Sequence, residues 1–300
     1  MPTPPRAALV VPFIVVNEST VSILADERGT AQQPTLSMLG ITKHYDGVAA
    51  LTDVAFNVLP GEVHALLGEN GAGKSTLMNI ASGATTADAG TIVVGGAQTE
   101  SLTPALAQGL GIAMVHQHPA LLPDMTVGEN IRVAVGVDNL RRRDPDAAKA
   151  MRSLLDDVHF QGHLEDRVSS LSVARRHLLE IAKAFAVSPR LLILDEPTAP
   201  LSQDSVELLF TFVRQLAADG TAVVYITHRL GEVREIADRV TVLRDGALRG
   251  TSAVKAISDA DLLAMIVGRT SSVASMLKLR RYGRKPRACA RTVPPTRGLS

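Results

Sequence analysis

Cysteine is nearly absent, with Cys289 the single one in 300 residues. That excludes an intramolecular disulfide and any metal site built on cysteine, and it fits a reducing compartment. Aromatic residues are scarce at 3%, although 46% of the chain is hydrophobic. Apolar content carried by Ala, Val, Leu and Ile suits a sheet covered by helices better than an aromatic-rich sandwich. Long apolar runs are missing as well. The longest, residues 7–16, is broken by Pro12, far short of the roughly 20 residues that a spanning helix needs. The chain is therefore expected not to cross a membrane. With one charge before it, Arg6, and no clear small-residue cleavage site, the run reads as part of a disordered extension over residues 1–35 rather than as a secretory signal. Surplus charge is lacking too: a net +1 implies no general affinity for nucleic acid. That sum hides an asymmetry. Lys278, Arg280, Arg281, Arg284, Lys285, Arg287, Arg291 and Arg297 fall in residues 271–300 with no acid among them, so the rest of the chain is acidic.

Residues 36–41, 63–67, 91–94, 112–115, 190–194 and 222–226 are short apolar runs bounded by polar or Gly punctuation, and read as strands. Helical patterns follow at 74–81, around 104–109, at 204–218 before Gly220, and at 258–267 behind Ser258, with Asp261 as a capping-box acid. This alternation is that of an α/β domain. From about 119 to 189 the β signals vanish and helices are expected at 147–158, after Asp144-Pro145, and at 174–186, which reads as an inserted helical subdomain. Residues 240–243 and 247–250, joined at Asp245-Gly246, read as a hairpin. Residues 270–300 hold no sustained period and are broken by Pro286, Pro294 and Pro295, so they read as a tail.

Gly68-Glu69-Asn70-Gly71-Ala72-Gly73-Lys74-Ser75, followed by Thr76, fits the phosphate-loop pattern G-x4-G-K-S and stands between an expected strand and an expected helix. Glycines let successive backbone N–H groups wrap inward toward phosphate, and the helix N-terminus adds its dipole. Lys74 then reaches the β- and γ-phosphates, and the Ser75 hydroxyl is a ligand for Mg²⁺. Asp195 and Glu196 close the apolar run 191–194, at the carboxyl edge of a strand where open α/β sheets bind ligands. Asp195 suits Mg²⁺, and Glu196 suits the polarisation of an attacking water.

In order and spacing these motifs resemble the ATP-binding-cassette (ABC) transporter ATPases, and the likeness runs over residues 36–269. It implies a P-loop NTPase (RecA-like) core with an antiparallel β subdomain and the inserted helical subdomain. Gln117, 42 residues after Ser75, sits like the family's Mg²⁺-ligating Q-loop glutamine. His228, 32 residues after Glu196, sits like the switch histidine that contacts the γ-phosphate. Tyr45 is similar to the aromatic that stacks on adenine. Leu171-Ser172-Val173-Ala174-Arg175 stands where the family has its signature, most often Leu-Ser-Gly-Gly-Gln, through which Ser172 and the amides around Ala174 would cap ATP held by a second cassette. Both glycines and the glutamine are replaced, which leads to an expectation of weakened or asymmetric activity. In the D-loop segment 199–202, Ser202 replaces the commoner Asp.

The wording of residues 68–78, 180–184 and 228–233 resembles the ATPases of bacterial ribose-, xylose- and galactose-type sugar importers. The resemblance implies ATP and Mg²⁺, a second cassette in a homo- or heterodimer, transmembrane permease subunits, indirectly an extracytoplasmic substrate-binding protein, and a place on the cytoplasmic face of the membrane. Those importers usually carry two fused cassettes. One is seen here, so a truncated or frame-shifted product is the expectation for residues 270–300, against a rival basic tail that binds acidic lipid or RNA. Two other readings stand beside importer ATPase: a soluble cassette acting on ribosomes or DNA, and a half-length remnant that binds ATP without hydrolysing it. The remaining histidines form no metal spacing.

Overall fold

The computed structural model describes residues 33–117 and 119–268. The expectations for the extension, the basic tail and His118 lie outside the described residues.

In chain order the elements are β1 (Leu36–Tyr45), β2 (Val48–Val58), β3 (Val63–Leu67), α1 (Lys74–Ala81), β4 (Ala89–Val94), β5 (Ala97–Thr99), α2 (Pro104–Gly109), β6 (Ile112–Val115), α3 (Val127–Val135), α4 (Val137–Arg143) and α5 (Ala147–Asp157). They continue with α6 (Val173–Ala186), β7 (Leu191–Asp195), α7 (Gln203–Ala218), β8 (Ala222–Ile226), α8 (Leu230–Ile236), β9 (Arg239–Arg244), β10 (Ala247–Ala253) and α9 (Asp259–Val267).

Every residue of β3, β7 and β8 is buried, because helices or the second sheet cover both faces of these parallel strands. Continuous Val/Leu/Ile runs are what such a position demands, and each fully buried aliphatic side chain contributes about 1.5–3 kcal/mol. The sheet runs β10-β9-β3-β8-β7-β6. Strands β9, β3, β8, β7 and β6 are parallel, and β10 closes the edge as the antiparallel hairpin expected at Asp245-Gly246. Leu66 and Asp195 both stand beside Ile226 in the register, so the segments leaving β3, β7 and β8 emerge together at one edge.

The second sheet is antiparallel, in the order β2-β1-β4-β5. Strand β1 runs four residues further than the sequence pattern predicts, and β2 is not predicted at all. The cause is visible in the pairing. Asp53 sits at φ 49, its N–H donates to the Thr42 hydroxyl at 3.2 Å, and the β1–β2 register shifts three times. Bulges of this kind scramble the period-2 alternation on which a strand reading depends.

Between β6 and β7 the chain is helical, as expected, with α3 to α6 packed around Ile131, Leu140, Met151, Leu154 and Leu179. Helix α3 is not among the expected helices, although Thr126-x-x-Glu129 opens it as a full capping box: the Thr126 hydroxyl accepts from Glu129 N at 3.2 Å, and Glu129 Oε2 accepts from Thr126 N at 2.8 Å. The box expected at Ser258 is half right. Its hydroxyl caps Asp261 N, but Asp261 takes its bond from the Ser258 hydroxyl at 2.6 Å rather than from the backbone. Among the described residues no helix is long and apolar enough to cross a membrane.

Candidate functional site

At the common edge of β3, β7 and β8 opens a cleft of about 640 Å³. Its lining brings together Glu69, Asn70, Gly71, Gly73, Lys74, Ser75, Thr76, Gln117, Asp195, Glu196 and His228, residues that the sequence singles out in four separate segments. Ala50 of β2 completes the wall. No sequence signal points to it, because β2 itself is not legible.

The loop is shaped by its glycines. Gly73 has φ 98, and a Cβ there would lie 2.7 Å from Leu51 Cδ2 and 2.8 Å from Ala50 O. At Gly68 a Cβ would run into the Leu243 carbonyl. Helix α1 starts directly after Gly73 with no side-chain cap, so its first amides face the cleft as donors for an anion. Lys74 is buried, and its Nζ donates to Gly68 O at 2.7 Å and Glu69 O at 2.9 Å. An ammonium has a third N–H. Burial holds the Lys74 pKa below the usual lysine range, while the charges of Glu196 and then Asp195 pull it back up.

Asp195 ends β7 and is buried. Burial and then the neighbouring Glu196 push its carboxyl above the ordinary aspartate value, against Lys74, His116 and a hydrogen bond with Ser75. Glu196 is held in the left-handed region at φ 47, with its N–H on Ile226 O at 3.0 Å. A non-glycine residue there costs on the order of 1 kcal/mol or more and persists when its surroundings impose it, a pattern concentrated at functional sites. Its Oε1 lies 3.0 Å from His228 Nδ1.

Ser75, Asp195 and Gln117 share this lining. Among the described residues no cluster of three or more His, Cys, Asp or Glu exists that could hold a metal by itself. A hydroxyl, one carboxylate and an amide, open to water and phosphate, suit Mg²⁺, which is commonly held by one or two carboxylates plus substrate phosphates.

Tyr45, Gly68, Ala72, Ser172 and Ala174 lie outside the cleft lining. Gly68 and Ala72 belong to the loop's backbone. Tyr45 ends β1 half-exposed, with the Lys43 amine 5.5 Å from its ring centre. Ser172 is the N-cap of α6, its hydroxyl accepting from Arg175 N at 3.3 Å, and Val173 beside it is 60% exposed. Ser202 is likewise a helix cap, accepting from Ser205 N at the start of α7.

The ABC transporter family profile matches residues 51–199. A ribose import ATP-binding protein of Rubrobacter xylanophilus is 48% identical over 239 residues, which is 79% of this chain and 48% of that protein. A putative ribose/galactose/methyl galactoside import ATP-binding protein of Agrobacterium fabrum is 41% identical over 248 residues, or 80% of this chain and 48% of that one. The chain thus spans about half the length of the curated relatives it matches. Among solved structures, the ADP conformation of an ATP-binding cassette of an ABC transporter superposes with a TM-score of 0.67 at 26% identity, covering 79% of this chain and 100% of that one. A dimeric post-hydrolysis cassette bound to ADP and phosphate gives 0.66 at 24% identity, covering 73% and 98%.

Proposed function

The chain belongs to the ABC transporter family, and on that premise we propose that it binds Mg·ATP in the cleft, hydrolyses it to ADP and phosphate, and so powers uptake of a sugar, ribose or a similar one, through a separate membrane permease. The observation that carries the reading is the convergence of Lys74, Ser75, Gln117, Asp195, Glu196 and His228 on one cleft. Sugar as cargo is supported by the names of the relatives, which are ribose and galactoside import proteins.

The loop amides and Lys74 bind the phosphates, and Tyr45, by its likeness to the family's aromatic, would stack on adenine. Ser75, Asp195 and Gln117 would hold Mg²⁺, which supplies charge neutralisation to the phosphates. Glu196 polarises the attacking water and accepts its proton. Its hydrogen bond to His228 fixes the carboxylate's direction and leaves the imidazole Nε2 available to a γ-phosphate oxygen. The work is mostly positioning and electrostatics, as expected for phosphoryl transfer. A second cassette closes the site through its Ser172 segment, and the helical subdomain passes that closure to permease subunits on the cytoplasmic face. A substrate-binding protein outside delivers the sugar.

A second reading, ATP binding without hydrolysis, is favoured by one observation. Val173 projects at the start of α6, where the family has glycine. Phosphate release from Mg·ATP by the purified full chain separates the two. Because each site needs two chains, the specific rate is expected to rise with chain concentration until pairing saturates. Bound ATP without release at any concentration supports the second reading.

A further inference from the structure

One buried acid next to the cleft has no place in the hydrolytic scheme above. Glu232, on the first turn of α8, is 8% exposed and does not line the cleft. Both of its carboxyl oxygens are occupied twice. Oε1 accepts from the Thr198 hydroxyl at 2.7 Å and from Arg229 at 3.2 Å; Oε2 accepts from the Thr227 hydroxyl at 2.7 Å and from the Tyr225 hydroxyl at 3.1 Å. The Thr227 oxygen accepts in turn from Arg229 N at 3.1 Å. Burial and then the Glu232 charge keep the Tyr225 phenol protonated far above its ordinary range, so it stays a donor.

The partners are placed with a purpose that sequence distance hides. Thr198 lies two residues beyond Glu196, Thr227 and Arg229 flank His228, and Tyr225 belongs to β8 beneath them. We propose that Glu232 is a positioning residue for hydrolysis, clamping the turn that carries Glu196 to the turn that carries His228 and so setting the distance and direction of their hydrogen bond. Glu196 needs such support, since its left-handed backbone holds only where neighbours over-determine it. Helix α8 has no side-chain N-cap of its own, so Glu232 ties its first turn to the neighbouring turns by hydrogen bonds, beside the packing of the buried Val233. A buried carboxyl with four donors is costly to disturb, and the cost falls on the geometry of the pair.

This inference rests on the proposed hydrolysis, and its test keeps the two apart. Full-length Glu232→Gln, Thr198→Val and the double variant are compared with the parent and with Glu196→Gln. Glutamine keeps the volume but offers one acceptor oxygen for four donors. Thr198→Val removes a single bond and serves if Glu232→Gln does not fold. The expected result is a kcat lowered about 10- to 100-fold, the scale of a misplacement near 1 Å, with KM for ATP within about twofold. The double variant should fall no further than Glu232→Gln alone, since both cut the same link. Crystal structures without nucleotide should show His228 and Glu196 outside hydrogen-bond distance or in more than one arrangement. Parental kcat in Glu232→Gln and Thr198→Val, with Glu196→Gln inactive, overturns the positioning role, and so does an unchanged Glu196–His228 pair. A parent that releases no phosphate overturns the hydrolytic reading instead, and the crystal structures still decide the clamp.

Discussion

Glu196→Gln should lower ATP turnover by about 10³-fold, within the range general-base removal produces, while ATP affinity stays close to parental. The substitution is isosteric. Gln retains an oxygen that can face His228 Nδ1, now 3.0 Å from Glu196 Oε1, and it occupies the same left-handed backbone position. What it loses is the capacity to take the proton of the attacking water. Two side effects oppose each other: Lys74 loses its strongest carboxylate partner, and Asp195 loses the neighbouring charge that raises its pKa. The second favours an ionised Asp195 and hence Mg²⁺. Phosphate release beside a titration with fluorescent nucleotide separates the two quantities, and turnover retained in Glu196→Gln would place the base elsewhere.

Lys74→Met should act on binding. A charge-assisted hydrogen bond contributes about 1.5–3 kcal/mol, so ATP affinity is expected to fall about 10- to 100-fold, at 1.4 kcal/mol per tenfold. Stability without nucleotide moves the other way or not at all. The ammonium is already disfavoured by burial, and relief of that burial offsets the loss of its bond to the buried Gly68 carbonyl, while the Glu69 carbonyl belongs to a residue lining the cleft, where water replaces it. A melting midpoint that holds or rises, with nucleotide-induced stabilisation lost, is the expected pair of results in thermal unfolding. A large fall in the midpoint would make Lys74 structural.

Much of this site is legible in the amino-acid sequence, because its chemistry needs fixed residue types at the ends of recognisable strands. Gly68 to Ser75, Asp195 and Glu196 stand where β3 and β7 end, and continuous apolar runs such as 191–194 announce buried parallel strands without ambiguity. Gln117 and His228 are different. Alone, neither carries a local signal, and they enter through spacing matched to a family. The wall residue Ala50 stays hidden because the bulge at Asp53 breaks the alternation of β2. Glu232 stays hidden for another reason. Its four donors come from positions 198, 225, 227 and 229, and no period in one sequence says that a charged residue on a short helix turns inward. The short helices α1, α2 and α9 are announced by the glycine loop, Pro104 and Ser258, whereas α3, α4 and α8, also nine residues or fewer, are not among the expected helices. Of these, α3 does carry its capping box in plain letters.

Altered glycines at Val173 and Ala174 bear on whether the cleft is finished by a second chain, since both sit at the N-terminus of α6 away from their own cleft. The most direct measurement mixes two full-length variants, Lys74→Met and Ser172→Arg, at equal concentration and at an ATP level that fills the parental site but not the Lys74→Met one, and follows phosphate release. A pair made of one of each holds one intact site, the loop of the Ser172→Arg chain facing the α6 N-terminus of the Lys74→Met chain. Random pairing then predicts recovery of about a quarter of parental turnover. A mixture no faster than the sum of its two components would contradict an ATP site completed between two cassettes.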